Sequence, residues 1–255
     1  METIKQNINR VGNFTSSEIV ALTSNNKGKK PFGKPGLTYI AECNMERRLG
    51  RSLTDEVKAR ATSWGTLVEA RVFELLGLDY KLCSTETIAH PHFPFWKGSP
   101  DAEKFDAGKT VCDIKCPLTL KSLCTMVDCL SAANPIEALR ENHSDGEKFY
   151  WQLVSNAILT GAKFAELIIY CPYKNELEEI RELARNADEG VQSKFYWVHA
   201  ASDDELPFLI EGGYYKNLNI IRFEVPQADK ALLTERVALA GKELQVFQTA
   251  DAVAA

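Results

Sequence analysis

The chain has no long hydrophobic run. Among its 255 residues, no apolar stretch approaches the roughly 20 residues that a membrane-spanning helix needs. Its first ten residues, METIKQNINR, are polar and contain no apolar segment of the kind found in signal peptides. We therefore expect no membrane association and a cytoplasmic location. A composition of 45% hydrophobic and 25% charged residues is typical of a globular protein, and we expect one domain spanning residues 1–255.

Paired cysteine motifs are also missing. The chain contains 7 cysteines but no CxxC spacing, and several of the cysteines lie within apolar patterns. An odd number without close pairs favours reduced, mostly buried thiols. An iron–sulfur cluster on four of these residues is the alternative, although such clusters usually use a paired spacing. The cysteines are Cys43, Cys83, Cys112, Cys116, Cys124, Cys129 and Cys171.

An excess of basic charge is absent too. The formal net charge of −5 argues against a protein that coats nucleic acid indiscriminately. It is compatible with a local basic channel, since the potential in a cleft depends on the nearest charges. Two groups of residues would supply such a channel, and solvated loop and helix faces are the alternative explanation for both. The groups are Lys27, Lys29, Lys30 and Lys34, then Arg47, Arg48 and Arg51.

The most informative stretch is GSPDAEKFDAGKTVCDIKCP, residues 98–117. Asp101 follows a proline and opens a turn-rich hairpin, whereas Asp113, Ile114 and Lys115 lie in a predicted strand. Side chains alternate across a strand, so Asp113 and Lys115 should share one face while Ile114 points into an apolar core. The return of the hairpin should bring Asp101 beside Asp113.

Two carboxylates and a main-chain carbonyl form an all-oxygen site. Such a site suits Mg²⁺ or Mn²⁺ better than zinc. The Lys115 ammonium would then orient a water molecule and offset charge on a phosphate. The alternative is an ordinary surface hairpin, because Pro-Asp is common in turns and an Asp-Ile-Lys alternation is common in half-exposed strands.

A glutamate upstream lies in an apolar register. Glu69 falls within a predicted helix whose apolar residues recur near helical spacing. A carboxylate on a core-facing stripe is costly unless it is paired or binds a cation. Pairing with Arg71 or Arg60 at the edge of the helix is the alternative to a metal-binding role.

The other elements follow from periodicity and turn signals. Thr15 and Glu18 form a capping-box pattern that predicts a helix to Thr23, with its positive end near Arg10 and Ser17. Residues 25–36 and 131–146 are predicted loops. Further helices are expected at 37–50, 54–77, 119–130, 147–160, 174–187 and 226–247, and strands at 85–90, 95–99, 109–115, 164–171, 194–199 and 218–223. The order includes a three-strand meander and predicts an α/β fold with a mixed central β-sheet flanked by helices.

Four motifs in this order resemble the lambda-type (YqaJ-type) phage alkaline exonucleases of the PD-(D/E)xK nuclease superfamily, whose core is restriction-endonuclease-like. The second acidic position here is Asp113, where close relatives often have glutamate, and the last motif has one glutamine where many relatives have two. The motifs are NRVGNFTSSEI at 9–19, SWGTLVEARVFELLG at 63–77, GSPD with DIKCP, and FYWQLVSNAILTG at 149–161.

The resemblance implies a role for each matching residue. Asp101, Asp113, the Ile114 carbonyl and Glu69 would bind metal, with Mg²⁺ as the expected ion and Mn²⁺ as a substitute. Lys115 would be the catalytic lysine, and Gln152 would lie beside the scissile phosphate. Arg10 and Ser17 would hold the 5′-phosphate of a DNA end.

The implied activity is Mg²⁺-dependent 5′-to-3′ digestion of linear double-stranded DNA, leaving 3′ single-stranded overhangs for phage-type recombination. The resemblance also implies a ring-shaped homotrimer, a single-strand annealing protein as partner, and the host cytoplasm as location if a phage encodes the chain. A structure-specific or restriction-type endonuclease on the same core is the main alternative. A non-catalytic DNA-binding protein is the second.

Overall fold

A mixed β-sheet lies at the centre of the described structure. The computed structural model describes residues 10–25, 31–53, 60–83, 87–104, 106 and 108–245. Within them, the larger sheet has the order β2-β5-β6-β7-β8, in which β6 and β7 are parallel and the other neighbours are antiparallel. Its strands are β2 Tyr80–Leu82, β5 Ala102–Lys104, β6 Thr110–Lys115, β7 Phe164–Tyr170 and β8 Leu218–Glu224.

A smaller sheet has the order β1-β4-β3. Strand β1 is parallel to β4, and β3 is antiparallel to it. These strands are β1 Phe14–Thr15, β3 Ile88–Ala89 and β4 Trp96–Gly98. The helices that surround both sheets are α1 Lys34–Leu49, α2 Arg60–Leu75, α3 Leu120–Asp128, α4 Pro135–Asn142, α5 Gly146–Thr160, α6 Leu177–Arg185, α7 Glu189–Ala200 and α8 Gln227–Gly241.

Apolar clusters cover both faces of the larger sheet. On β7, Leu167 and Ile169 belong to the cluster that includes α5 and α8, whereas Ile168 and Tyr170 belong to the cluster that includes α2, α6 and α7. The two-residue alternation of a strand produces this division. A strand buried on both faces is mostly apolar, and residues 164–171 are apolar except for Glu166, which pairs with Arg222, so the sequence predicts a strand here. The predicted α/β fold with a mixed central sheet is confirmed, while the prediction of a single domain over 1–255 stays a prediction.

A buried hydrogen-bonded group joins the small sheet to α5. Ser155 on α5 accepts a hydrogen bond from Trp96 Nε1 at 2.8 Å, and its Oγ lies 2.8 Å from Ser16 Oγ. Gly98 allows this close approach, because a Cβ at that position would collide with Ser16 Oγ and Asn156 Oδ1. The segment after β1 is therefore fixed against the middle of α5.

The predicted capping box at the start of the chain is wrong. Thr15 belongs to β1, and its hydroxyl lies 3.2 Å from Ser17 Oγ rather than on a helix amide. Residues Ile19–Thr23 form a short 3₁₀ helix that begins after Glu18, without a side-chain cap. The chain pairs with β4 here, so extended backbone replaces the expected first helical turn.

Two further segments differ from the prediction. Residues 131–146 contain α4, because Pro135 at the first helical position starts a helix rather than interrupting one. Residues 194–199 belong to α7 and not to a strand, since Phe195 and Val198 pack at helical spacing into the cluster shared with α2.

The expected meander is also wrong. Strands 88–89 and 96–98 lie in the small sheet, and β2 and β5, which sequence patterns missed, pair in the larger one. The remaining predicted elements are found with shifted ends, except that residues 26–30, 54–59, 85–86 and 246–247 of the expected segments lie outside the described residues.

Two other expectations concern the state of the cysteines and the absence of a membrane-spanning helix. None of the seven cysteines, all of which lie among the described residues, forms a disulfide, and four of them are buried, as expected for reduced residues in apolar surroundings. In the part of the chain that the structure describes, no helix is both long enough and apolar enough to cross a bilayer.

We predict that Ser155→Ala destabilises the fold by about 1–3 kcal/mol, since it leaves the buried Trp96 indole N–H without an acceptor and removes the hydroxyl contact with Ser16. Thermal unfolding should show a fall of about 2–4 °C for each kcal/mol in a chain of this size. Ser131→Ala is the matched control, because the Ser131 hydroxyl is exposed and bonds only a local carbonyl, Asp128 O. Equal melting temperatures for the two variants would contradict this assignment.

Candidate active site

Asp113 is a buried carboxylate held by two other side chains. It is 1% exposed and lies near the end of β6, the middle strand of the larger sheet. Gln152 Nε2 on α5 donates to Asp113 Oδ1 at 2.6 Å, and Lys115 Nζ lies 2.6 Å from Oδ2. The lysine contact is an ion pair without hydrogen-bond geometry, so Oδ2 receives no directed hydrogen bond.

The local sequence explains why these groups meet. Asp113 and Lys115 are two residues apart on β6 and share a face, while Ile114 points into the opposite apolar cluster, as predicted. Gln152 reaches them from α5, which ends at Gly161 in the left-handed conformation with φ of 71°.

Asp101 lies beside this pair at the start of the hairpin. Its Oδ2 accepts a hydrogen bond from Ile114 N at 2.6 Å, and its own amide donates to Cys112 O at 3.1 Å. The hairpin formed by β5 and β6 therefore returns Asp101 to the neighbourhood of Asp113, as the sequence predicts.

Glu69 approaches the same place from α2. Burial, together with the charge of Asp113, raises its pKa, and Lys115 acts in the opposite direction. The predicted alternative, pairing with Arg71 or Arg60, is not what the structure shows. Arg71 pairs with Glu74 and Glu179, and Arg60 lies 5.1 Å from the Trp197 ring.

The electrostatic balance of the site is negative. Burial raises the pKa of Asp101 well above its usual value, and the charges of Asp113 and Glu69 raise it further. Burial alone would lower the pKa of Lys115, but the carboxylates outweigh it and raise that pKa. Three acidic side chains thus share one ammonium group, and additional positive charge would relieve their mutual repulsion.

The donor atoms match a hard divalent cation in their chemistry. They are carboxylate oxygens, and Asp113 Oδ2 is buried without a directed hydrogen bond. Among the described residues, however, no three His, Cys, Asp or Glu side chains are gathered closely enough to hold an ion as they stand. Lys115 and Gln152 contact both oxygens of Asp113 in this arrangement. The metal roles of Asp101, Asp113, Glu69 and the Ile114 carbonyl stay predictions.

The predicted phosphate residues lie on the segment around β1. Arg10 Nε is buried and has no hydrogen-bond partner in the described structure, while Ser17 Oγ contacts Thr15 Oγ1. A buried guanidinium nitrogen without an acceptor fits an anion-binding role. The short 3₁₀ helix after Glu18 does not supply the helix dipole that the sequence suggested.

Sequence reasoning missed the residues that anchor this segment. Arg47, which we considered for a basic channel, donates from Nε to Gly12 O at 2.6 Å, and Glu46 accepts from Gly12 N at 2.8 Å. Near α5, Lys148 Nζ lies 2.9 Å from Glu18 Oε1. The sequence feature that points to these contacts is Gly12. Its φ of 64° is a backbone conformation that favours glycine. Lys27, Lys29 and Lys30 lie outside the described residues.

Comparison with solved structures shows which fold this chain has. No protein-family model and no curated protein matches the chain. An alkaline exonuclease, LHK-Exo from Laribacter hongkongensis, is 17% identical with a TM-score of 0.57, over 95% of this chain and 92% of that one. LHK-Exo in complex with dAMP gives 18% identity with the same TM-score and coverage.

A phage-related exonuclease from Haemophilus somnus 129PT is 15% identical with a TM-score of 0.59, over 91% of this chain and 93% of that one. The chain therefore shares the fold of these exonucleases, which confirms the predicted fold class.

We predict that Glu69→Gln raises the melting temperature in metal-free buffer at neutral pH. The amide keeps the shape of the side chain and removes a charge that both burial and Asp113 disfavour. Glu74→Gln on the same helix is the control, since its side chain is 64% exposed and its loss removes only a surface ion pair. A lower melting temperature for Glu69→Gln than for the control would contradict the assigned repulsion.

Proposed function

We propose that this chain is a divalent-cation-dependent nuclease that digests linear double-stranded DNA from the 5′ end and leaves 3′ single-stranded overhangs. The observation that carries the proposal is the buried Asp113 carboxylate between Lys115 and Gln152, with Asp101 and Glu69 beside it. The four motifs, and a fold shared with alkaline and phage-related exonucleases, support it.

The chain's own residues would perform distinct parts of the hydrolysis. Lys115 has a raised pKa and stays an ammonium at neutral and alkaline pH, so it would orient the attacking water and offset charge on the phosphate. The Gln152 amide would fix the same water or the phosphate without adding charge. Water would add to phosphorus as the bond to the 3′ oxygen breaks, and the proton that the water gives up would end on that oxygen. The terminal nucleotide would leave with a 3′-hydroxyl, and the shortened strand would keep the new 5′-phosphate.

A bound Mg²⁺ or Mn²⁺ would supply Lewis-acid stabilisation of the charge that develops on the phosphate and on the leaving oxygen. Asp101, Asp113 and the Ile114 carbonyl would hold the ion, and Glu69 would help to hold a second one. The surplus of carboxylates over ammonium groups supports this part of the proposal.

Recognition of the end would depend on Arg10 and Ser17. A terminal phosphate carries more charge than an internal one, and charge-assisted hydrogen bonds would select it. The buried, unpartnered Arg10 Nε supports this role. The contacts of Ser16 with Ser155 and of Glu18 with Lys148 fix the segment against the helix that carries Gln152.

The resemblance of the motifs supports two further parts of the proposal. The chain would assemble as a ring-shaped homotrimer around the duplex, and it would transfer the 3′ overhang to a single-strand annealing protein in the host cytoplasm.

We predict that the protein with Mg²⁺ degrades 5′-phosphorylated linear duplex, acts more slowly on 5′-hydroxyl ends and leaves closed circular DNA intact. Lys115→Ala should lower the rate by at least about 100-fold, because it removes positive charge beside the phosphate. Lys163→Ala is the matched control, since its side chain is 57% exposed and pairs with Glu224 at the surface. Gel analysis of the three DNA substrates, with and without Mg²⁺, gives the result.

The outcomes separate the alternatives. Cleavage of closed circles would favour the endonuclease, and DNA binding without hydrolysis would favour the non-catalytic protein. Full activity of Lys115→Ala would overturn the site. Equal digestion of the two kinds of end, or unchanged end preference in Arg10→Gln, would overturn the proposed role of Arg10 alone.

A further inference from the structure

A cleft of about 710 Å³ opens beside Lys115. Its walls come from the segment after β6, from α3, and from the residues between α4 and the first turns of α5. This volume is within the usual range for sites that bind small organic ligands. The proposed hydrolysis uses only the corner of the cleft that contains Lys115, so most of it has no assigned role.

Two aromatic rings form one wall. Phe149 is half-buried, and its ring centroid lies 5.5 Å from that of His143 at an interplanar angle of 30°. Lys115 Nζ lies 5.2 Å from the Phe149 centroid. A half-buried aromatic ring therefore lies directly beside the ammonium that would contact the scissile phosphate.

The His143 ring is held in one orientation. The Asp145 amide donates to Nδ1 at 3.1 Å, so Nδ1 carries no proton. The neutral ring then has its proton on Nε2 and donates to Ser122 Oγ at 2.7 Å. Because Ser122 Oγ accepts this bond, its own proton is available to a ligand in the cleft, where Ser122 is also a lining residue. Two hydrogen bonds thus orient the His143 ring, and the Ser122 hydroxyl is left as a donor towards the cleft.

We propose that this cleft binds one nucleotide that flanks the scissile phosphate, with its base packed against the half-buried Phe149 ring, which His143 contacts in turn. The inference rests on the proposed nuclease function. A nucleotide combines an anionic phosphate with a flat aromatic base, which matches an ammonium beside an aromatic wall. Bases of any sequence stack on aromatic side chains, so the cleft would fix the nucleotide without reading its identity. Ser122 would donate to an acceptor on the base or the sugar.

The test removes the base from the DNA and the Phe149 ring from the protein, each in a separate experiment. Linear 5′-phosphorylated duplexes carry either a normal nucleotide or a tetrahydrofuran abasic analogue at the first or second position of the digested strand. Single-turnover release of the first product is measured for wild type and Phe149→Leu. Wild type should be slowed roughly 10-fold by the abasic analogue at one of these positions, as expected for one lost stacking contact. In Phe149→Leu the slowing of product release by the abasic analogue should shrink to about 2-fold or less.

Phe208→Leu is the matched control. Phe208 is also a half-buried phenylalanine with a lysine over its ring, Lys174 Nζ at 5.4 Å, but it is not among the residues that line this cleft. This variant should keep the full effect of the abasic analogue. The inference is overturned if the analogue slows wild type at neither position, or if the slowing persists unchanged in Phe149→Leu.

A binding measurement separates this inference from the proposed function. Calorimetry compares dGMP with 2-deoxyribose 5-phosphate, which lacks the base. Wild type and Phe208→Leu should bind dGMP roughly 10-fold more tightly, and Phe149→Leu should lose that gain. Absence of a gain in wild type overturns the inference even if DNA is digested.

If no DNA is digested, the nuclease proposal fails and calorimetry alone decides whether the cleft takes a nucleotide. The wild-type comparisons require no variant, so misfolding of Phe149→Leu would not remove the test.

Discussion

The burial of the Asp113 carboxylate sets the conditions that the rest of the site must meet. At 1% exposure an ionised carboxylate is costly unless it is paired and hydrogen-bonded. Lys115 and Gln152 provide those contacts from a strand and from a helix, so both elements must be fixed in register. Burial raises the pKa of both Asp101 and Glu69, and the surplus of negative charge over the single ammonium raises it further. The arrangement is unfavourable for the protein without an additional positive charge, which a divalent cation would supply in the function proposed above.

Helix α5 joins the two parts of the proposed mechanism. Gln152 on this helix contacts Asp113, while Ser155 lies nearly one turn further on and bonds Ser16 and Trp96. The segment that carries Arg10 is therefore anchored to the same helix that positions Gln152 in the proposed catalytic site. The aromatic wall of the cleft also begins on α5, which places all three proposed functions along one rigid element.

Part of the site could be predicted from the sequence, because local periodicity determines it. The two-residue period of a strand places Asp113 with Lys115, and the apolar register of a helix identifies Glu69. Other features depend on tertiary packing. The contact of Ser155 with Ser16 joins residues 139 positions apart, and α4 starts at Pro135 within a segment that the sequence predicts as a loop. Residues 194–199 have the composition of a strand and become helical through packing against α2.

Direct measurement of cation binding tests the central claim, that the carboxylates around Asp113 form a divalent-cation site. Mn²⁺ is titrated into the protein with a non-hydrolysable duplex present, and free Mn²⁺ is followed by electron paramagnetic resonance. We predict saturable binding by wild type, a loss of at least about 10-fold in affinity for Asp101→Asn and Asp113→Asn, and no change for Lys163→Ala. Wild-type protein that binds no Mn²⁺, or aspartate variants that bind it as tightly as wild type, would contradict the account.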